Sequence, residues 1–376
     1  MELQVRGVLA SIAMVLALGA VPALAEGAST TCDRLAASPY DPAVPRGEGV
    51  ALGEIDTVAA IAACSDAVAA DPASARLKFQ LARAYDAAEQ FDKALAEYRA
   101  AADQGSALAL SALGSLYESG LGVDADPAAA AEFYQRAADD GLILAVENLA
   151  KLYEEGRGVP QDYARAATLY RQAADAGSPY GAGSLGWLVE NGHGVPRDEA
   201  EAVRLYQIAA DGGEAFAQHN MGVMYAAGRG GLIQSDAKAI HYYELAAAQH
   251  WPPSYGSLAW HYSHGAGVTR DIAKAEAYLR LAISEGDEKV QGDARNDLAW
   301  LFATENIHLE EAEQLARDAV AAGPEVGNRL DTLAWVLHLT GRDKEALPLA
   351  QKALSLETGN AAFADHLAGI EAALGQ

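Results

Sequence analysis

Gly156 and Gly158 stand one residue apart in the stretch LYEEGRGVPQDYARAATLYRQAADAG, residues 152–177. A Gly-x-Gly loop that opens onto a helix can cradle a phosphate with its backbone N–H groups. Ser235 and Lys238 have the S-x-x-K spacing of a serine nucleophile beside a lysine, but the S-D-N and K-T-G motifs that complete that chemistry are absent. In AGSLG, residues 182–186, Ala182 stands where a nucleophile elbow needs glycine, and no strand pattern precedes it. His261 and His264 lie one helical turn apart and could share a metal, with His219, His241 and His250 nearby in sequence. No cysteine joins them, and HExxH, CxxC and Gly-Lys-Ser/Thr are all missing. These fragments assemble into no catalytic constellation. Neither an enzyme, a resident metal nor a cofactor is expected.

The elements that would hold these residues repeat. Gly105, Gly141, Gly177, Gly213, His250 and Gly286 close successive alanine-rich stretches at spacings of 36, 36, 36, 37 and 36 residues. The five units so marked are 106–141, 142–177, 178–213, 214–250 and 251–286. Each carries a Leu/Met-Gly/Ala pair, from Leu113-Gly114 to Leu258-Ala259, then a tyrosine three residues on (Val189 in the third unit), then Gly-x-Gly. Ala145, Leu149 and Tyr153 recur at i, i+4 and i+8 and define one apolar helix face. Asp126, Asp162, Asp198 and Asp271 follow the loops where a second helix needs an N-cap, and Ser235 takes that column in the fourth unit, whose loop is one residue longer. A loop that recurs five times between helices is punctuation. The first glycine is expected to end a helix in a left-handed conformation, and the second to allow a tight turn. His261 falls in a column otherwise filled by Leu116, Leu152, Leu188 and Met224, which favours packing over metal binding.

The pattern A-x-x-x-L-G-x-x-Y-x-x-G-x-G-V-x-x-D followed by L-Y-x-x-A-A-x-x-G resembles the Sel-one-like repeat, a relative of the tetratricopeptide repeat, over residues 106–286. The resemblance implies an all-α, right-handed α-solenoid of stacked helix-turn-helix repeats, and is nearly silent on activity. Residues 54–105 read as tetratricopeptide-like helices, a single helix over 57–70 that carries Cys64 and a plain tetratricopeptide hairpin over 75–105; 287–360 look like two more such hairpins and 361–376 like a capping helix, whereas the Pro/Gly-rich 26–53 is expected to lack regular structure. A secreted branch of this repeat family has been linked to β-lactam binding, but those relatives carry a disulfide in each repeat, and these repeats contain no cysteine.

Arg6, the apolar run Val8–Ala20 and Ala23-Leu24-Ala25 read as a secretory signal peptide, residues 1–25, cut after Ala25. A periplasmic or secreted location follows as an expectation, and the two cysteines, Cys32 and Cys64, are then expected to pair. The net charge of −25 is unchanged by removal of that segment and disfavours nucleic acid and anionic lipid. No later stretch is apolar enough to span a membrane, and a monomer is expected.

In such stacks the first helix of each hairpin lines the inner surface. Three columns on those helices differ along the chain. One reads Leu108, Leu144, Tyr180, Phe216 and Pro253; another reads Ser115, Lys151, Trp187, Val223 and Trp260, continuing as Trp300 and Trp335; the third reads Glu118, Glu154, Glu190, Ala226 and Ser263. The expected groove therefore has an acidic ridge at Glu118, Glu154 and Glu190 with Lys151, and aromatic anchors at Tyr180, Trp187, Phe216 and Trp260 flanked by His219 and His264. Trp300 and Trp335 are expected to pack on the adjacent second helix. The leading reading is an exported scaffold that binds a protein partner, as an extended peptide or a helix, in an envelope process. The alternatives are a hydrolase or β-lactam-binding enzyme, and a peptidoglycan or polysaccharide binder.

Overall fold

The computed structural model describes residues 31–45 and 48–375, and every regular element among them is helical. The proposed signal peptide lies outside the described residues. The chain divides into two compact units, 1–161 and 162–376, with the boundary inside the second repeat. In the first unit, α1 (Thr57–Ala70) precedes the hairpin of α2 (Ala75–Ala87) and α3 (Phe91–Ala102), then the repeat formed by α4 (Ala107–Ser119) and α5 (Pro127–Asp139), then α6 (Ile143–Glu155). The second unit begins with α7 (Tyr163–Asp175). The hairpins α8/α9 (Pro179–Asn191, Glu199–Asp211), α10/α11 (Ala215–Ala227, Asp236–Ala247) and α12/α13 (Pro252–His264, Ile272–Glu285) follow. Beyond them come α14/α15 (Glu288–Glu305, Leu309–Ala322), α16/α17 (Gly327–Leu339, Asp343–Leu356) and a last helix, α18 (Ala361–Ala373). Within each unit, helices adjacent in sequence pack on one another, which is the arrangement of an α-solenoid.

The helix ends follow from the punctuation. Asp126, Asp162, Asp198, Ser235 and Asp271 each accept a backbone N–H of the first turn that would otherwise lack a partner. Gly156 closes α6 at φ 70°, and Gly158 repeats that angle. A Cβ at Gly158 would lie 2.2 Å from the carbonyl of Pro127, so the second glycine also allows the loop to rest on the start of α5.

The core uses one large ring, Tyr134, Tyr170, Tyr206 or Tyr243, in each of the first four repeats. Tyr134, Tyr206 and Tyr243 are buried on the second helices, each against the glycine of the preceding Leu-Gly or Met-Gly pair. A Cβ would stand 2.6 Å from the ring at Gly114, 3.0 Å at Gly186 and 2.5 Å at Gly222. The fifth repeat has Ala259 and Leu279 at the two positions, both buried in one cluster. The second repeat keeps a buried ring, Tyr170, with Ala150 in the glycine's place, so a glycine accompanies the ring in three of the four repeats that have one. Burying such a side chain contributes about 1.5–3 kcal/mol.

The described residues of segment 26–53 include regular structure, contrary to the expectation from sequence. Residues 31–36 are helical and Leu52–Glu54 form a 3₁₀ turn. Cys32 is bonded to Cys64 of α1, and the buried Arg83 guanidinium donates to the carbonyls of Ala36 and Val50, each at 2.6 Å. A crosslink and a buried cation, rather than an apolar period, order this segment.

Candidate functional site

The acidic column is largely consumed within the stack. The Tyr134 hydroxyl donates to Glu118 at 2.8 Å, and Arg157 from the next loop closes on the same carboxylate. The set recurs one unit further on: Tyr206 donates to Glu190 at 2.8 Å, and Arg229 pairs with Glu190 at 2.9 Å and with Glu199 at 2.7 Å. Burial, reinforced by the neighbouring carboxylate, drives both tyrosine hydroxyls far above their ordinary pKa, while Arg229 and Arg197 hold Glu199 down at about 2. Glu118 and Glu190 therefore bolt one repeat to the next and form no open ridge. Glu154 is half-buried, and Lys151 is exposed, 4.0 Å from Glu155 of its own helix.

The aromatic anchors separate into packed and open ones. Phe216 is wedged edge-on between Tyr206 and Trp251, at 6.2 and 6.0 Å. Tyr180, at the start of α8, is 39% exposed and meets Tyr170 edge-on. Trp187 is half-buried against His193, whose ring stacks on Tyr163. His219 is not a surface anchor. Its Nδ1 lies 3.0 Å from Ser254 Oγ, its ring leans on Tyr243, and burial lowers its pKa to about 4. His261 is buried as its column implied, with Nδ1 against the Ala266 carbonyl.

Trp260 is the exception. It is 52% exposed and stands between two clefts of the second unit. The larger, about 560 Å³, opens between α12 and α14 and is walled by Trp260, His264, Arg270, Asp297, Trp300 and Glu305. His264 stacks on Trp260 with centroids 4.7 Å apart. Arg270 donates to the Ser263 carbonyl at 2.8 Å and is ion-paired with Glu305 across the repeat junction. Trp300, expected to pack on a second helix, instead lines this cleft and meets His366 of α18 on another side. Trp335 stacks on the same histidine at 4.5 Å, and His366 is held by Asp331 at 2.8 Å. Trp300 carried a sequence signal, because it shares the Trp260 column. Asp297, Arg270 and Glu305 carried none; only the juxtaposition of α12 and α14 makes them neighbours.

The cleft also explains a costly residue. Gly256 lies in the interior of α12, where glycine costs about 0.5–1 kcal/mol relative to alanine. Unlike Gly222, it has no neighbouring atom within 4 Å of where a Cβ would stand. It lines both clefts one turn before Trp260, and its missing side chain keeps their floors open.

Among the described residues, no helix is long and apolar enough to cross a membrane. No curated protein matches this chain. Among solved structures, it is similar to a protective antigen of uropathogenic Escherichia coli that displays an SLR fold (TM-score 0.68, 23% identity, 92% of this chain and 71% of that one). It is also similar to a Sel1 repeat protein from Oxalobacter formigenes (TM-score 0.59, 27% identity, 64% of this chain and 98% of that one). The Sel1 repeat model matches residues 107–142, 143–178, 180–214, 215–250 and 253–287, the stretches whose caps, glycines and tyrosines are described above. Residues 107–287 thus carry five Sel1 repeats within an α-solenoid, a scaffold of the kind that generally mediates protein–protein interaction.

Proposed function

We propose that this protein is an exported scaffold that captures an extended peptide segment of a partner at the clefts flanking Trp260, in service of an envelope process. The observation that carries the reading is the exposed Trp260 on a first helix, with Trp300 across the cleft and Gly256 leaving its floor open. Partly exposed tryptophans in a cleft are the residues most often found at binding hot spots. A location outside the reducing cytosol is supported by the Cys32–Cys64 bond and by the N-terminal sequence. In the cleft, Ser263 Oγ lies 2.9 Å from Nδ1 of His264, but that nitrogen also meets the Trp260 carbonyl at 2.9 Å, the ring is stacked on the indole, and no carboxylate among the described residues is hydrogen-bonded to it, which gives an enzymatic reading little support. The alternative with an observation behind it is sugar stacking on Trp260 and Trp300.

The test is selection of random peptides displayed on phage against the full chain, with affinities then measured by calorimetry. Peptides that bind the wild type are expected to lose about 30-fold or more with Trp260→Ala, corresponding to about 2 kcal/mol. They are also expected to lose binding with Gly256→Leu, which fills the cleft, while far-UV circular dichroism stays unchanged. Recovery of no peptide sensitive to these changes, or binding only to neutral oligosaccharides, refutes the reading.

A further inference from the structure

We propose that the cleft between α12 and α14 is an arginine pocket, in which a guanidinium group of the bound segment pairs with the Asp297 carboxylate between the indoles of Trp260 and Trp300. The inference rests on the peptide-binding reading and specifies its ligand. Three charged side chains wall the cleft: Arg270, Asp297 and Glu305. Arg270 and Glu305 neutralise each other, and the Arg270 Nε–H donates to the Ser263 carbonyl. Asp297 is left over. Its hydrogen bond is a long one from the Asn296 amide, 3.4 Å, and no cation among the described residues pairs with it. Asp297 is exposed at the mouth of the cleft; the side chains crowded around its carboxyl push its pKa above the ordinary range, with Asp293 adding to the effect against Asn296 and Arg329. A carboxylate without a counter-ion, set at the mouth of a cleft beside two indoles, is stabilised by an incoming cation.

The indoles select among cations. A planar guanidinium lies against an aromatic face and offers paired N–H donors to a carboxylate, which an ammonium cannot do at once. The volume, about 560 Å³, exceeds that of one side chain and leaves room for the flanking residue of a peptide. The net charge of −25 attracts basic segments to the whole molecule.

The probe is the capped tripeptide Gly-Arg-Gly, with Gly-citrulline-Gly as its neutral isostere, titrated into the full-length protein. The readout is the indole N–H resonances of Trp260 and Trp300, assigned from single Trp→Phe variants. The arginine peptide is expected to shift both resonances, and the citrulline peptide and the Asp297→Asn variant to weaken binding at least tenfold. Rescue of affinity by Asp297→Glu separates charge recognition from a loss of fold. Equal shifts with citrulline, or none with the arginine peptide at 10 mM (roughly the weakest affinity a single charge pair with stacking would give), overturn the arginine pocket. Peptides selected on phage that bind at the cleft without arginine would do the same and leave the peptide-binding reading intact. Failure of the phage selection itself strikes at that reading.

Discussion

Two glycines of the same kind of helix make a quantitative test of how the hairpins close. Gly222 in α10 and Gly256 in α12 both sit in helix interiors, so replacement by alanine gains about 0.5–1 kcal/mol at each from backbone entropy. Their surroundings are opposite. At Gly222 the new methyl would lie 2.5 and 2.6 Å from ring carbons of Tyr243, a buried side chain that cannot retreat without disturbing the core. Overpacking of that kind costs about 1–3 kcal/mol. At Gly256 nothing lies within 4 Å. Gly222→Ala is therefore expected to destabilise by up to about 2 kcal/mol, and Gly256→Ala to stabilise by up to about 1 kcal/mol. Urea unfolding followed by far-UV circular dichroism reads the difference, provided that the slope with denaturant stays at the wild-type value. A Gly222→Ala protein as stable as Gly256→Ala would refute the claim that glycine is there to admit the tyrosine ring.

Three further outcomes are expected. Tyr206→Phe removes the hydroxyl bonded to Glu190 and should cost about 1.5–3 kcal/mol, the range for a hydrogen bond to a charged group; a double-mutant cycle with Glu190→Gln should show coupling, and independence of the two changes would remove Glu190 from the repeat junction. Reducing or replacing the Cys32–Cys64 bond, which joins residues 32 apart in sequence, should cost about 3–4 kcal/mol by loop closure and make residues 31–45 the first site of limited proteolysis; unchanged protection of that segment would contradict its dependence on the crosslink. His219 resists protonation in the folded protein, with a pKa of about 4 against 6.5 when unfolded, so between these values the unfolded chain holds more protons and stability falls as pH falls. The loss reaches about 3 kcal/mol near pH 4, and His219→Gln should flatten that part of the stability profile; parallel profiles for the two proteins would argue against a buried neutral imidazole.

Sequence alone determined the architecture, and the reason is periodicity. A spacing near 36 residues, aspartates at N-caps, glycines at helix ends and a Leu-Gly pair in every unit are local requirements of a helical hairpin, and each repeat states them again. The disulfide partners were also legible, because two cysteines have only one way to bond within a chain. Tertiary structure decided which members of each column are spent on holding the stack and which are left for a partner. Glu118 and Glu190 read as a surface ridge until Tyr134, Tyr206, Arg157 and Arg229 arrive from 16 and 39 residues away to bind them. His219 reads as a surface histidine until Ser254 of the next repeat covers it. Trp260 and Trp300 share a column in the sequence, but only the packing of α12 beside α14 sets them around one cleft with Asp297. A column position fixes the direction in which a side chain leaves its helix; what that side chain meets there is fixed by the neighbouring repeat, whose residues lie too far along the chain for any local pattern to reveal.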